Sequence, residues 1–189
     1  MPRVVSGLLS TLGLLAVVAC QGGVDWEGPE NLLLRETAAE KDGRAELEYW
    51  SLLDAPCQPV FDALADVEHY PDFVPGVDRV QVLAQAPNSK TVQIAQRVIG
   101  RQNSAKVEWN FYPERWRIDF RTLASDLTYN DGGYVLEQSP NGKRCLVRTT
   151  YLVKEGKGLS LGALRQASQE AFVAAARGVR KRVGDKPTG

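Results

Sequence analysis

The sequence predicts an α+β fold: a run of antiparallel strands closed by one long C-terminal helix, with short helical segments after the first strand. Three observations predict it. Residues 56–82 pass from a helix signal through a proline-locked aromatic turn into an alternating strand. From Val77 onward, alternating segments follow one another, separated by turn residues. Residues 160–183 then carry apolar side chains at three-, four- and seven-residue spacing.

Residues 1–19 read as an export signal. Arg3 supplies a positive start, and an apolar run from Val4 to Val18 follows, broken by Ser6, Gly7, Ser10, Thr11 and Gly13. That run is shorter than the roughly 20 apolar residues that span a bilayer. It ends in Val17-Val18-Ala19-Cys20, which resembles the bacterial lipobox. The resemblance implies that the Cys20 thiol takes a diacylglyceryl group and that cleavage leaves Cys20 as the first residue. An uncleaved anchor, or a plain secretory signal with a chance cysteine, is the alternative. Gln21 follows Cys20 where an Asp would suggest inner-membrane retention, which favours a periplasm-facing location on the outer membrane of a bacterial envelope.

Residues 20–43 read as the lipidated N-terminus, a tether and an added strand. Gly22, Gly23, Gly28 and Pro29 suit a tether. Residues 31–38 read as a strand, with Asp42-Gly43 as a hairpin turn into the next. A short helix over 29–41 competes with that strand. In residues 44–53, Ala45, Leu47, Tyr49, Ser51 and Leu53 share one face, and Glu46 and Glu48 the other.

The helix of the organising stretch starts at Pro56 and Pro59, since a first-turn residue needs no backbone N–H partner. Val60, Phe61 and Leu64 form its apolar stripe. Pro71 and Pro75 stop it, and around them lies the aromatic turn His69-Tyr70-Pro71-Asp72-Phe73-Val74-Pro75-Gly76.

Strands follow. Pro87-Asn88 turns the chain into 91–99, and residues 100–103 turn it into 105–112, where Val107, Trp109 and Phe111 alternate with Glu108 and Asn110. Pro113-Glu114 leads to 115–123, where Trp116, Ile118 and Phe120 alternate with charged residues. Asp131-Gly132-Gly133 precedes 134–138, and Asn141-Gly142 is a hairpin signal before 145–154. The closing helix, 160–183, presents Leu161, Leu164, Ser168, Ala171, Phe172, Ala175 and Val179 on one face. Arg177, Arg180, Lys181 and Arg182 crowd its C-terminal end, where cations meet the negative end of the dipole. Contact with anionic lipid headgroups is the other reading. Residues 184–189 form a tail.

Ala55-Pro56, Val60-Phe61, Leu64, Asp66, Glu68, Tyr70-Pro71, Phe73 and Pro75 resemble the motif of the START-like superfamily, also called SRPBCC or Bet v 1-like. The nearest branch is similar to the coenzyme Q-binding and polyketide cyclase/dehydrase group. The resemblance covers residues 44–183 and implies a helix-grip fold. In it a curved antiparallel sheet of six to seven strands wraps around the C-terminal helix. Relatives hold lipids, quinones, sterols or polyketides between sheet and helix. The fold hosts many unrelated functions, so it does not name one.

Chemistry is sparse. Lys+Arg and Asp+Glu both number 23, so no net field invites nucleic acid. His69 is the one histidine, which argues against a metal site, a cofactor ligand set or a Ser-His-Asp arrangement. Gly132-Gly133 opens a strand, not a helix, and makes no phosphate loop. No catalytic residue is assigned, and the chain is expected not to be an enzyme.

An interior space is what remains. Tyr49, Trp109, Phe111, Trp116, Phe120, Tyr134 and Tyr151 are expected to point inward, with Ala171, Phe172 and Ala175 opposite them and Tyr70 and Phe73 near the mouth. Aromatics against alanines line a cavity or fill a core; both readings stand at this point. The expected function is an exported lipoprotein that binds or carries a hydrophobic small molecule without catalysis. A filled-core envelope interaction module is the alternative, and a cyclase or aromatase-type enzyme a weaker one. The implied topology also pairs the first strand of the grip with the last. That would bring Cys57, four residues after Leu53, beside Cys145, as a disulfide in an oxidising compartment or as two buried thiols.

Overall fold

A computed structural model describes residues 23–127, 130–154 and 158–184; Cys20 and the export signal lie outside them. Eight strands form one antiparallel sheet: β1 (Asn31–Lys41), β2 (Arg44–Leu53), β3 (Val77–Ala86), β4 (Ser89–Val98), β5 (Arg101–Tyr112), β6 (Arg117–Ser125), β7 (Asn130–Gln138) and β8 (Cys145–Lys154). Their order across the sheet is β1-β2-β8-β7-β6-β5-β4-β3. Between β2 and β3 lie α1 (Cys57–Ala65), a 3₁₀ turn (Val67–His69) and α2 (Tyr70–Phe73). Helix α3 (Leu161–Gly184) ends the described chain.

The sheet has one strand more than six to seven because residues 31–41 form a strand, not a helix. Asp42 and Gly43, both at positive φ (52° and 70°), make the tight turn that returns the chain into β2. Helix α1 begins directly behind Pro56, and the Asp66 N–H closes it on the Asp62 carbonyl. Pro71 sits in the first turn of α2, where its missing N–H costs nothing.

Three expected boundaries move. The β4–β5 turn is Ile99–Gly100, with φ 52° and 71°, so β5 starts at Arg101. Gly100 announces a turn here, but a β-branched residue at positive φ is a poor turn former, so nothing local places Ile99 in it. Trp116 is not a strand residue: after the 3₁₀ turn Pro113–Arg115 it sits at φ 46°, and β6 begins at Arg117. Gly132 and Gly133 lie inside β7 rather than before it. A Cβ on Gly132 would stand 1.9 Å from the Thr150 carbonyl oxygen, and one on Gly133 2.5 Å from that of Ile118. These glycines admit their neighbours' backbones.

The strand registers define two poles. Leu53 opposite Cys145, Gln138 opposite Cys145 and Tyr112 opposite Arg117 lie at one. Arg44 opposite Lys154, Asn130 opposite Val153, and Val98 opposite Arg101 lie at the other. The first pole is sealed. There the structure joins Cys57 to Cys145 in a disulfide, with Cα atoms 4.8 Å apart and a sequence separation of 88.

The chain ahead of β1 is also fastened at this pole. The Asp25 carboxylate accepts from the N–H groups of Glu27 and Gly28, forming a turn. Arg144 donates through Nη1 to the carbonyls of Trp26, at 2.7 Å, and Gly28, and pairs with Asp54. Glu30 takes Arg180 of α3 at 3.1 Å. The segment read as a tether is therefore docked from Asp25 onward.

Candidate ligand cavity

Alternation puts one face of every strand inward, and α3 lies across that concave face. Two stripes of α3 then behave differently. Leu164, Phe172 and Val179 are buried. Ala163, Ala167, Ala171 and Ala174 recur at four-, four- and three-residue spacing on a neighbouring stripe. Because those side chains are single methyl groups, the sheet opposite them is not reached. A cavity of about 610 Å³ results.

Its wall comes from Ile94, Val107, Trp109, Phe120, Tyr134 and Tyr151 on the sheet, with Tyr70 and Leu64 from the helical connection. Its mouth, at the pole opposite the disulfide, is bounded by Val74–Val77 (74–77), the Ile99–Gly100 turn, and Gln166 and Glu170 of α3. Ile99 is 46% exposed there. Arg97 and Glu170, the charged lining residues, are both exposed at this rim.

The structure thus brings together Tyr70, Trp109, Phe120, Tyr134, Tyr151, Ala171 and Ala175 in the cavity wall. Five other candidates lie elsewhere. Tyr49 and Phe172 stack on each other, centroids 5.1 Å apart, and fill the space between β2 and α3. Phe73 packs edge-on against Tyr70 and under the Arg182 guanidinium. Phe111 opposes Ile118 near the sealed pole, and Trp116 is carried out of the strand by its left-handed backbone. Both pack only partly buried against the core.

Aromatic rings form a connected wall: Trp109 contacts Tyr70, Phe120 and Tyr134, and Phe120 contacts Tyr134 and Tyr151. The Tyr70 hydroxyl donates to the Leu64 carbonyl at 2.6 Å. Burial pushes the Tyr134 phenol up to about 12, and holds Tyr70 and Tyr151 well above the ordinary value of 10. Away from the cavity, burial and the nearby Glu36 raise Tyr49 to about 12. All four are neutral phenols at physiological pH.

Sequence reasoning missed the polar lining: Asn103, Thr122 and Asn130. Asn103 Oδ1 accepts from Ser125 Oγ and the Leu127 N–H, bracing the β6–β7 connection. Thr122 Oγ1 donates to the Asn130 carbonyl at 2.7 Å. Trp109 Nε1 and Asn130 Oδ1 are buried with no partner among the described residues. A polar residue on an inward strand position was the available signal, at 103 and 122.

Asp66, Glu68 and His69 bring potential metal-ligand atoms within 4.8 Å of one another. Their charges are already met. Asp66 pairs with His69 Nδ1 at 2.7 Å and with Arg182, and Glu68 with Lys90 at 2.7 Å. The hydrogen bond to Asp66 raises the His69 pKa. The group works as an ion-pair cluster tying α3 and β4 to the helical connection, and it uses Arg182 of the basic C-terminal end.

A curved antiparallel sheet gripping a long helix around an apolar cavity is the helix-grip architecture of the START-like superfamily. The chain belongs to the family described as "Polyketide cyclase / dehydrase and lipid transport", whose family model matches residues 53–177. No curated protein matches it in sequence. Among solved structures it is similar to the Zhui aromatase/cyclase from Streptomyces sp. R1128, with a TM-score of 0.69 and 20% identity over 77% of this chain and 98% of that one. It is also similar to a START superfamily protein from Mycobacterium smegmatis, with a TM-score of 0.65 and 14% identity over 74% and 97%. Ara h 8.0201 has the same fold, with a TM-score of 0.57 and 14% identity over 74% and 99%.

Proposed function

We propose that this protein binds and carries a hydrophobic small molecule, a lipid, quinone or polyketide-like compound, without transforming it. One observation carries the reading: the cavity of about 610 Å³, walled by aromatics and alanines. It falls within the roughly 300–1,000 Å³ of small-molecule sites. The unpartnered Trp109 N–H favours a ligand with a hydrogen-bond acceptor, because a buried donor left unpaired costs about 1–3 kcal/mol.

Two features support carriage over catalysis. A general base must be unprotonated near the working pH. The tyrosines of the wall hold their protons, and the charged lining residues stand at the rim. The family and the likeness to an aromatase/cyclase support the rival reading of a cyclase-type enzyme. Native mass spectrometry of the purified protein tests the proposal. The expected spectrum shows a small-molecule adduct, released at unchanged mass after long incubation. Bare protein that also fails to retain an added fluorescent apolar probe would refute carriage, and conversion of the released compound would refute its non-catalytic part.

The same reading places the domain in a bacterial envelope, anchored through lipidated Cys20. The Cys57–Cys145 disulfide supports an oxidising compartment. Cys20→Ser is expected to move the protein from the membrane fraction to the soluble one or to block processing. Equal fractionation of the two forms would remove the anchor from the proposal.

A further inference from the structure

Two facts about the poles of the sheet bear on how the cavity is reached. The mouth lies at the pole of Val98–Arg101 (98–101) and Asn130. The segment ahead of β1 is docked at the other pole. Arg144, whose side chain is only 12% exposed, grips the carbonyls of Trp26 and Gly28, and Glu30 is paired to Arg180. Cys20 precedes Trp26 by six residues, a fully extended reach of about 20 Å. Strand β8 runs from pole to pole with 10 residues, about 30 Å. Even at full extension that reach is shorter than the domain it would hold.

We infer that the anchored protein stands with its disulfide pole toward the bilayer that holds its N-terminus and its cavity mouth directed away. The ligand is then exchanged with the aqueous side, not drawn laterally from the anchoring leaflet. This rests on the Cys20 anchor proposed above. It also gives Arg144 a role that a freely tethered binding domain would not need. By gripping the strap at two carbonyls, Arg144 makes the direction of the mouth a property of the fold.

The test uses full-length lipidated protein in phosphatidylethanolamine/phosphatidylglycerol vesicles that contain a headgroup-labelled acceptor lipid. With Cys20 acylated and Cys57 bonded to Cys145, an introduced cysteine is the available thiol. A donor dye is placed by Lys143→Cys, exposed at the sealed pole, or by Ile99→Cys at the mouth. Strong energy transfer from the position-143 dye and near-background transfer from the position-99 dye are expected. Inserting a flexible Gly-Ser stretch after Gly23, which leaves the domain untouched, should raise transfer at position 99 toward that at position 143. Flotation of the vesicles is read first. Protein that does not float overturns the inference through its anchor. Protein that floats with equal or reversed transfer overturns the orientation itself. A pattern unchanged by the insertion overturns the strap as its cause. Adduct retention in native mass spectra, read separately, reports on the cavity and not on the orientation.

Discussion

The two halves of the interior are built from the same sheet and the same helix, yet one is nearly filled, with a space of about 30 Å³, and the other is hollow. Under β2 and β8, Leu47, Tyr49, Val60, Cys57 and Cys145 are fully buried, and Phe172 stacks on Tyr49. Under β4, β5 and β6, the inward residues Ile94, Val107 and Phe120 face the alanine stripe of α3 across open space. The sheet side chains differ little in size between the halves. What differs is the helix: large residues on one stripe, methyl groups on the next. The hollow half is made by omission on α3, and the filled half carries the stability that permits it.

That contrast is broken most strongly at the sealed pole. Removing the disulfide, by Cys145→Ser or by reductant, should cost about 4–5 kcal/mol in the chain-entropy model for a loop of 88 residues. Denaturant unfolding with and without reductant reads this. A midpoint that does not move would show the thiols to be unbonded in solution.

The helix stripes give the next test. Phe172→Ala deletes the ring stacked on Tyr49 and should cost about 3–5 kcal/mol. Ala171→Phe, on the neighbouring stripe, should leave the unfolding midpoint nearly unchanged and abolish retention of an apolar probe. If Ala171→Phe instead costs the roughly 1–3 kcal/mol of overpacking, the space is not open in solution.

Alkaline pH probes both halves at once. Tyr49 in the filled half and Tyr134 in the hollow one both have phenols raised to about 12 in the folded state. A raised folded value means the stabilising contribution is intact below the unfolded value of 10 and is lost as pH rises from there through 12. For Tyr134 that loss is on the order of 2–3 kcal/mol. Stability measured from pH 8 to 12 should fall above pH 10, and Tyr134→Phe should flatten part of the fall. A profile that stays level would contradict the burial of these hydroxyls.

The smallest effect sits outside both halves. His69 is exposed, and its hydrogen bond to Asp66 raises its pKa above 6.5. Its contribution is present at pH below the unfolded value and fades as pH rises through the raised one. An NMR titration should find that elevated value, and Asp66→Asn should bring it down with scarcely any change in stability. An unaltered titration would show that the pair does not form.

Much of this molecule is local information. Alternation along residues 44–53 and 145–154 is a property of a strand half-buried on one face, so the inward positions were legible without neighbours. Asp42-Gly43 announces its own turn, and Pro56 and Pro71 announce their helices. The alanines of α3 were visible in part, as Ala171 and Ala175. Tertiary structure decided the rest. Whether aromatics line a space or fill it depends on how far a curved sheet stands from a helix, a distance set by contacts across the whole chain. Ile99 takes its place in the Ile99–Gly100 turn against local preference and is held there by the pairing of β4 with β5. Trp116 left its expected strand through a backbone state that its side chain does not favour. Arg144 reads in sequence as one more strand-flanking cation. Its grip on carbonyls 116 and 118 residues away exists only because β8 begins where the N-terminal strap crosses. Local patterns specify which way each residue faces; the folded chain specifies what it faces, and that second fact makes the cavity.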